Sequence, residues 1–331
     1  MSSSLHLELF ERPRFRESVD LFFDDDGVDC LYRDQSCRVD FHGREDARQL
    51  LKLLVAGGQT REELQKACPA VADEVGDVLT SLDALGLLTE TTLGRPRGVV
   101  SGRQLYRDLR RMADNLYDQV IEESFYQKMV SGTIARNQLI GYALEYYHLV
   151  RQAPRLLASA LSKEEPGRIP GLLQDFFASE LHHDRMLESA LGAIEITREQ
   201  LQQTQPLPAT FGLCAAIGAY SAQNPLTFKA MLYLFEEPSP DFNDAFAAAS
   251  RSAGLPERFI SPILAHARLN EDGSHGDISS ELLAEVAAVG PEEQHTVRKH
   301  LAITVETMAL QEAEILAYYG SPSAVIPRVF R

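Results

Sequence analysis

The chain has 331 residues, 44% of them apolar, and a formal net charge of −16 at pH 7. That length can bury the core of one large domain or two ordinary ones. The acidic balance argues against nucleic acid and anionic membranes as partners, because clustered lysine and arginine normally meet both. The start lacks a basic flank before an apolar run, and no stretch approaches roughly 18 apolar residues. We therefore expect a cytoplasmic protein, whose four cysteines, lacking any CxxC pair, are reduced thiols.

Residues 1–92 predict a small α+β domain. VDCLYR and CRVDF alternate apolar and polar residues around the turn-like RDQS, which indicates a strand hairpin. Thr60 and Glu63 have the spacing of a capping box at the start of the second of three helices. The helices are GREDARQLLKLLVAGG, TREELQKAC and VADEVGDVLTSLDALG, and LLTETT returns as a strand. A hairpin, three helices and a closing strand form a winged-helix-like domain.

The pattern from GG-T-x-x-EL to GLL in these residues resembles the PqqD-like domains, which hold the leader segment of a peptide undergoing modification. The resemblance implies a leader or carrier peptide that adds as a strand beside the hairpin and lies against the third helix. DNA is a poor partner, since residues 1–92 contain 19 acidic and only 10 basic residues. The third helix, which would have to enter the major groove, contains no basic residue. A docking or dimerisation module without a peptide stays open as the alternative.

The stretch TTLGRPRGVVSGR indicates a linker, which we place at residues 93–112, and residues 113–331 predict a bundle of long helices separated by Pro and Gly. The usual place for a metal or small-molecule site in such a bundle is between facing helices. The predicted helices include LYRDLRRMADNLYDQVIEESFYQKMVSG, IARNQLIGYALEYYHLVRQAPRLLASAL, IPGLLQDFFASELHHDRMLESALGAI, PATFGLCAAIGAYSAQNPLTFKAMLYLFEE, PERFISPILAHARL and EEQHTVRKHLAITVETMALQEAEILAYYG.

A glutamate and two adjacent histidines stand out in ASELHHDRML. On a helix Glu180 and His183 share a face, whereas His182 is turned by about 100°. An inward Glu-x-x-His is a metal-ligand arrangement, although a single copy is more often a solvated pair. Glu145-x-x-His148 is a second copy. A ferritin-like di-iron bundle needs one more glutamate before each motif, and the order along this chain does not provide it.

Further ligand-type residues follow in the chain. LYLFEE offers Glu236 or Glu237, and AHARLNEDGSHGD offers His266, Asp272 and His275. Together with Glu180 and His183 they form a six-ligand series of oxygen and imidazole donors, which suits iron or manganese.

From roughly residue 115 to 320 the chain resembles the heme-oxygenase-like di-iron oxidases and oxygenases, relatives by fold of PqqC and TenA. The resemblance implies a heme-oxygenase-like bundle that binds two Fe(II) ions, with Mn as the alternative, and reacts with O2. It assigns Glu180, His183 and Glu236 as ligands. The last segment departs from the family spacing His-x3-Asp-x2-His, because five residues separate His266 from Asp272 and the family aspartate falls on Asn270.

Two features of the predicted site remain open. Glu145, Tyr147 and His148 match no usual ligand of the family and either line a substrate pocket or stabilise the bundle. The turn-like NEDG predicts a helix that ends near Leu269 and an irregular segment over residues 270–274, which would let Asp272 and His275 reach the metal.

The function expected from this reading is an O2-dependent oxidation of an amino-acid-derived or peptide-borne substrate. Two alternatives stay open: a cofactor-independent PqqC-like oxidase, and a non-catalytic scaffold that binds partners. A TenA-like thiaminase would use Cys214, but FGLCAAIGAY is so apolar that a structural cysteine is the better interpretation. The oligomeric state is open, with a homodimer as one alternative.

Overall fold

The structure is a computed structural model and describes residues 10–16, 19–32, 35–91, 98–120, 124–272 and 278–329. The chain divides into two compact units, Met1–Gln104 and Leu105–Arg331. The division lies within residues 93–112, where the sequence predicts a linker. Helix α4, Gly102–Val120, begins inside that predicted linker.

The first unit is a small α+β unit with two antiparallel sheets. The hairpin β3 (Gly27–Tyr32) and β4 (Gln35–Asp40) forms as predicted, with Val28 opposite Val39 and Cys30 opposite Cys37. All four cysteines of the chain are free thiols. The sequence did not predict β2 (Asp20–Phe23), which pairs with β3, or β1 (Pro13–Phe15). β1 pairs with the closing strand β5 (Leu88–Glu90).

Helices of the first unit pack over one apolar core with the strands. They are α1 (Glu45–Ala56), α2 (Arg61–Ala67), a 3₁₀ segment (Pro69–Glu74) and α3 (Val75–Ala84). Helix α1 ends at Gly57, whose φ of 71° favours glycine. Helix α2 begins with the predicted capping box, in which the Thr60 amide donates to Glu63 over 2.8 Å and the Glu63 amide donates to Thr60 over 3.2 Å.

The second unit is a helical bundle, and its described residues contain no extended strand. After α4 its helices are α5 (Phe125–Val130), α6 (Arg136–Leu161), α7 (Ile169–Glu180), α8 (Asp184–Gly192), α9 (Arg198–Gln203), α10 (Pro208–Gln223), α11 (Pro225–Met231), α12 (Tyr233–Glu236), α13 (Pro240–Ser252), α14 (Glu257–Asp272), α15 (Ile278–Ala284) and α16 (Pro291–Gly320). None of the helices among the described residues has the length and apolarity needed to cross a membrane.

Helix breaks are more frequent than the sequence predicts. Residues 208–237 were expected as one helix and form α10, α11 and α12. The break between α10 and α11 lies at Pro225, which has no backbone N–H with which to continue the ladder. Residues 169–194 were likewise expected as one helix and break between Glu180 and Asp184. The second break lies at the candidate ligands Glu180 and His183.

Helices α6 and α16 approach closely at a glycine. A Cβ added to Gly141 would lie 2.2 Å from ring atoms of Tyr319, so no larger residue fits there without movement. The Tyr319 hydroxyl donates to Glu145 Oε1 over 2.7 Å. This contact fixes α6, which carries much of the site described next.

Candidate metal centre

The break between α7 and α8 positions the first two candidate ligands. Glu180 is the last residue of α7 and is buried, and His183 precedes α8. Between them His182 has a φ of 72°, which is uncommon for a residue with a Cβ, and its side chain is exposed. Glu180 Oε2 and His183 Nδ1 lie 3.4 Å apart. The sequence led us to expect that a shared helix face brings this pair together. The structure shows instead that a backbone turn does so.

A third candidate ligand comes from α14. The rings of His183 and His266 lie 5.0 Å apart between centroids and are nearly perpendicular. Burial, followed by the neighbouring His183 ring, lowers the pKa of His266 to about 4, so this ring is neutral at pH 7. Two buried ring nitrogens, His183 Nδ1 and His266 Nε2, have no hydrogen-bond partner among the described residues.

Sequence reasoning missed Tyr146, which forms a hydrogen bond with the second ring nitrogen of His266. Tyr146 Oη and His266 Nδ1 lie 2.7 Å apart and share a hydrogen bond whose donor depends on the ring tautomer. Burial raises the pKa of Tyr146 well above its ordinary value, so the phenol is protonated. Its spacing to Leu149, Val150 and Ala153 along α6 is the signal that could have predicted a common face.

The fourth candidate, Glu236, lines a cavity with Glu180, His266 and Tyr146. The residues alone left Glu236 and Glu237 as alternatives, and the family resemblance assigned Glu236. The structure separates them, since Glu237 accepts a 2.5 Å hydrogen bond from Arg110 Nη2. Glu236 is thus the carboxylate that faces the other candidate ligands.

The last predicted ligand segment differs from expectation. Helix α14 continues to Asp272 and does not end near Leu269, since Asn270 and Glu271 are helical in place of forming a turn. On a continuous helix an offset of six residues turns Asp272 about 240° away from His266, so its backbone position shares no face with that ring. The Asp272 side chain and the whole of His275 lie outside the described residues.

Glu145, Tyr147 and His148 do not line this cavity. They are all buried, and they occupy other faces of α6, with His148 about 200° from Tyr146. Glu145 Oε2 accepts the Leu207 amide over 2.9 Å, and His148 Nε2 lies 3.2 Å from Thr204 Oγ1. Of the two roles left open for Glu145 and His148, their contacts match stabilisation of the bundle.

The donor types fit iron or manganese, which prefer carboxylate oxygen and imidazole nitrogen together. The two ring nitrogens without a hydrogen bond fit such a group, since buried polar atoms normally have a hydrogen-bond partner. Within the described part of the chain, no three His, Cys, Asp or Glu side chains already form a group that could hold a metal ion. Binding of a metal would therefore require side-chain movement within this cluster or a ligand from outside the described residues.

Comparison with known proteins agrees with this donor set. The family described as iron-containing redox enzymes matches residues 140–308. The chain belongs to this family. The match begins inside α6, contains helices α7 to α15 and ends within α16, and it therefore includes every one of the six predicted ligand positions. It leaves residues 1–139 outside, so the PqqD-like domain stays a prediction.

Solved structures show that this member of the iron-containing redox enzyme family has the heme-oxygenase-like fold. A domain of unknown function with that fold from Shewanella denitrificans OS217 aligns with a TM-score of 0.55 and 21% identity over 68% of this chain and 97% of its own. A TenA homologue from Pseudomonas syringae pv. tomato DC3000 aligns with a TM-score of 0.53 and 16% identity, over 69% of this chain and 98% of its own. A TenA homologue from P. horikoshii OT3 aligns with a TM-score of 0.50 and 14% identity, over 64% of this chain and 98% of its own. No protein of curated function matches the chain.

Cys214 does not contribute to the cavity wall of this family member. It lies in α10, and burial raises its pKa to about 11. A protonated thiol is a poor nucleophile, which favours the structural role expected from the sequence.

Proposed function

We propose that the bundle is a non-heme iron oxidoreductase that uses O2, with Glu180, His183, Glu236 and His266 as metal ligands. The observation that carries the proposal is that residues from α7, the α7–α8 break, α12 and α14 meet around two unpartnered ring nitrogens in a chain of the iron-containing redox family. When bound, iron supplies the capacity to react with dioxygen.

Tyr146 orients His266 for this role. If the neutral ring carries its proton on Nδ1, it donates to the Tyr146 oxygen, and the Nε2 lone pair is left free for a metal. A metal-bound histidine usually donates its other ring N–H to a fixed acceptor in this way. The chain thus contributes the ring's tautomer, its orientation and a mostly apolar cavity wall.

A second iron is part of the proposal, with His275 among its ligands and with Asp272 as a further ligand once the last turn of α14 unwinds. It rests on the resemblance seen in the sequence, since the side chains of Asp272 and His275 are not described. An amino-acid-derived or peptide-borne substrate, with the first unit binding a leader or carrier peptide, is proposed on the same ground. We further propose that the protein acts in the cytoplasm.

A cofactor-independent oxidase similar to PqqC is the second candidate. The hydrogen-bonded Tyr146 and His266, both facing the cavity, are groups that can hold and move a proton without a metal. The absence of a preformed metal group among the described residues is compatible with both candidates.

Metal titration separates them. We expect protein loaded anaerobically with ferrous iron and desalted to retain one or two equivalents, and His183→Gln to lose at least half of the retained metal because a ligand is deleted. The matched control is His182→Gln, next in the chain but exposed, which should retain the full amount. Glu145→Gln, a buried carboxylate away from the cavity, should also retain it.

Iron retention is measured by elemental analysis, with circular dichroism to verify that each variant keeps its helices. If the unaltered protein retains neither iron nor manganese, the iron proposal is wrong and the PqqC-like candidate takes its place. Equal losses in the His182 and His183 variants would show that the ligand assignment is wrong.

A further inference from the structure

The cavity beside the candidate ligands has an apolar wall along most of its length. Its volume is about 690 Å³, including the part open to solvent. The apolar lining comes from helices α6, α7, α10, α11 and α12. These residues are Leu149, Val150, Ala153, Leu156, Leu157, Phe176, Ile217, Phe228, Leu232 and Phe235.

Polar groups are confined to one end of this cavity. Tyr146 shares a hydrogen bond with His266, and its phenol interacts electrostatically with Glu236 and Glu180, so these four groups lie together. Leu157 is eleven residues further along the same helix. At 1.5 Å per residue it lies about 16 Å from Tyr146, and every lining residue of α6 between them is apolar.

No lysine or arginine is among the described lining residues. Lys229 follows the lining residue Phe228, but its Nζ lies 2.5 Å from Glu165 Oε1 in a buried ion pair. A charged group placed along the apolar wall would lose its hydration without gaining a partner, which is costly. A free zwitterionic amino acid or a lysine-like side chain is therefore poorly matched to this length of the cavity.

We infer that the cavity takes an uncharged aliphatic chain of the substrate, laid along α6 from Tyr146 towards Leu157. The inference rests on the proposed function, because it places the reacting end of that chain at Glu180, Glu236 and His266. Ala153 and Leu157 then limit the chain length, since they line the half of the cavity away from the polar groups. A peptide-borne substrate would enter by an aliphatic side chain or acyl group.

The test uses the metal-free protein, so that it does not depend on iron. The uncharged fluorescent probe 1-aminoanthracene is bound and then displaced by linear alcohols of six to fourteen carbons. We expect affinity to rise about fourfold per added CH2 group and then to level off, because each methylene leaves water until the cavity is filled. Zwitterionic leucine and lysine should displace the probe at least a hundredfold less well than the best alcohol.

Ala153→Phe shows where the chain lies. Its larger ring should fill the middle of the cavity, move the plateau to shorter alcohols and weaken binding of the longest by at least tenfold. The matched control is Leu310→Phe on α16, where the side chain is 60% exposed, and it should bind as the unaltered protein does. If Ala153→Phe loses its helical circular dichroism, the smaller Ala153→Leu replaces it with the same direction of change.

Three results would overturn the inference: no dependence on chain length, stronger displacement by the amino acids than by the alcohols, or an unchanged plateau in a folded Ala153 variant. Iron retention, measured on separate iron-loaded portions of the same preparations, keeps the two proposals apart. Loss of the chain-length series with iron retained contradicts the aliphatic substrate alone. The reverse pattern contradicts the iron centre alone.

Discussion

At the scale of single residues, burial lowers the pKa of a histidine on α6 and of another on α14. His148 and His266 are both buried, and burial is the largest cause that lowers the pKa of each to about 4. His182, beside the candidate ligand His183, is exposed. The adjacent residues His182 and His183 therefore lie in different environments, and His183 is the one that points inward.

His148 predicts a pH dependence of stability. Its folded pKa lies below the ordinary 6.5, so the unfolded chain takes up the proton first and stability falls as pH drops from 6.5 towards 4. A shift of this size corresponds to about 3 kcal/mol. Between pH 7 and 4.5 the unfolding free energy of the metal-free protein should fall, and in His148→Gln this fall should be smaller by up to that amount. Urea denaturation at the two pH values measures the difference.

The control for this measurement is His295→Gln on the exposed side of α16, whose unfolding free energy should fall between pH 7 and 4.5 as much as that of the unaltered protein. Burial raises the pKa of Glu145, which acts in the opposite sense in all three proteins and cancels in the comparison. Parallel curves for the His148 variant and the unaltered protein would contradict the prediction.

At the scale of helices, the bundle depends on a few close approaches that periodicity does not reveal. Helix α6 carries Tyr146 towards the cavity on one face and Glu145 towards α16 on another. The contact of Gly141 with the Tyr319 ring sets the distance between α6 and α16. Movement of α6 at this contact would move Tyr146, one turn further along the helix.

Gly141→Ala should destabilise the protein by about 1–3 kcal/mol, because the new Cβ must displace the Tyr319 ring and weaken its bond to Glu145. Gly171→Ala on α7 is the matched control, since no atom within 4 Å meets its Cβ. There the better helix propensity of alanine should leave stability unchanged or raise it by up to about 1 kcal/mol. Thermal and urea unfolding measure both, and equal effects would rule out the close approach.

At the scale of the whole molecule, two compact units divide the chain near residue 104. The matched family region and all the proposed ligands lie in the second unit. The first unit closes on itself, because its last strand β5 pairs with its first strand β1. We therefore expect iron binding and peptide binding to be separable.

A protein of residues 98–331, which keeps α4 intact, should retain iron as the full chain does, because it contains every proposed ligand. Residues 1–97 should fold alone and bind a peptide encoded beside this gene, with hydrogen-exchange protection on the β3–β4 hairpin and on residues 71–85. A scrambled peptide is the control. Equal binding of both peptides, or full activity of residues 98–331 on a peptide-borne substrate, would mean that the first unit does not present the substrate.

Local sequence determined much of this protein. Alternation and turn residues predicted the β3–β4 hairpin, the spacing of Thr60 and Glu63 predicted a helix start, and long helical runs with the Glu180 and His183 pair predicted a bundle with ligand-type residues. These features depend on neighbours within a few residues, whose geometry the backbone fixes at short range.

Tertiary structure alone decided how the candidate site is assembled. The positive φ of His182 breaks α7 and turns His183 towards Glu180, and Arg110, 127 residues away in the chain, binds Glu237 and leaves Glu236 at the cavity. Tyr146 became a site residue only because α14 packs His266 against it. The outcomes at Glu236 and Tyr146 depend on which distant side chain arrives at a given place, and helical periodicity carries no information about that.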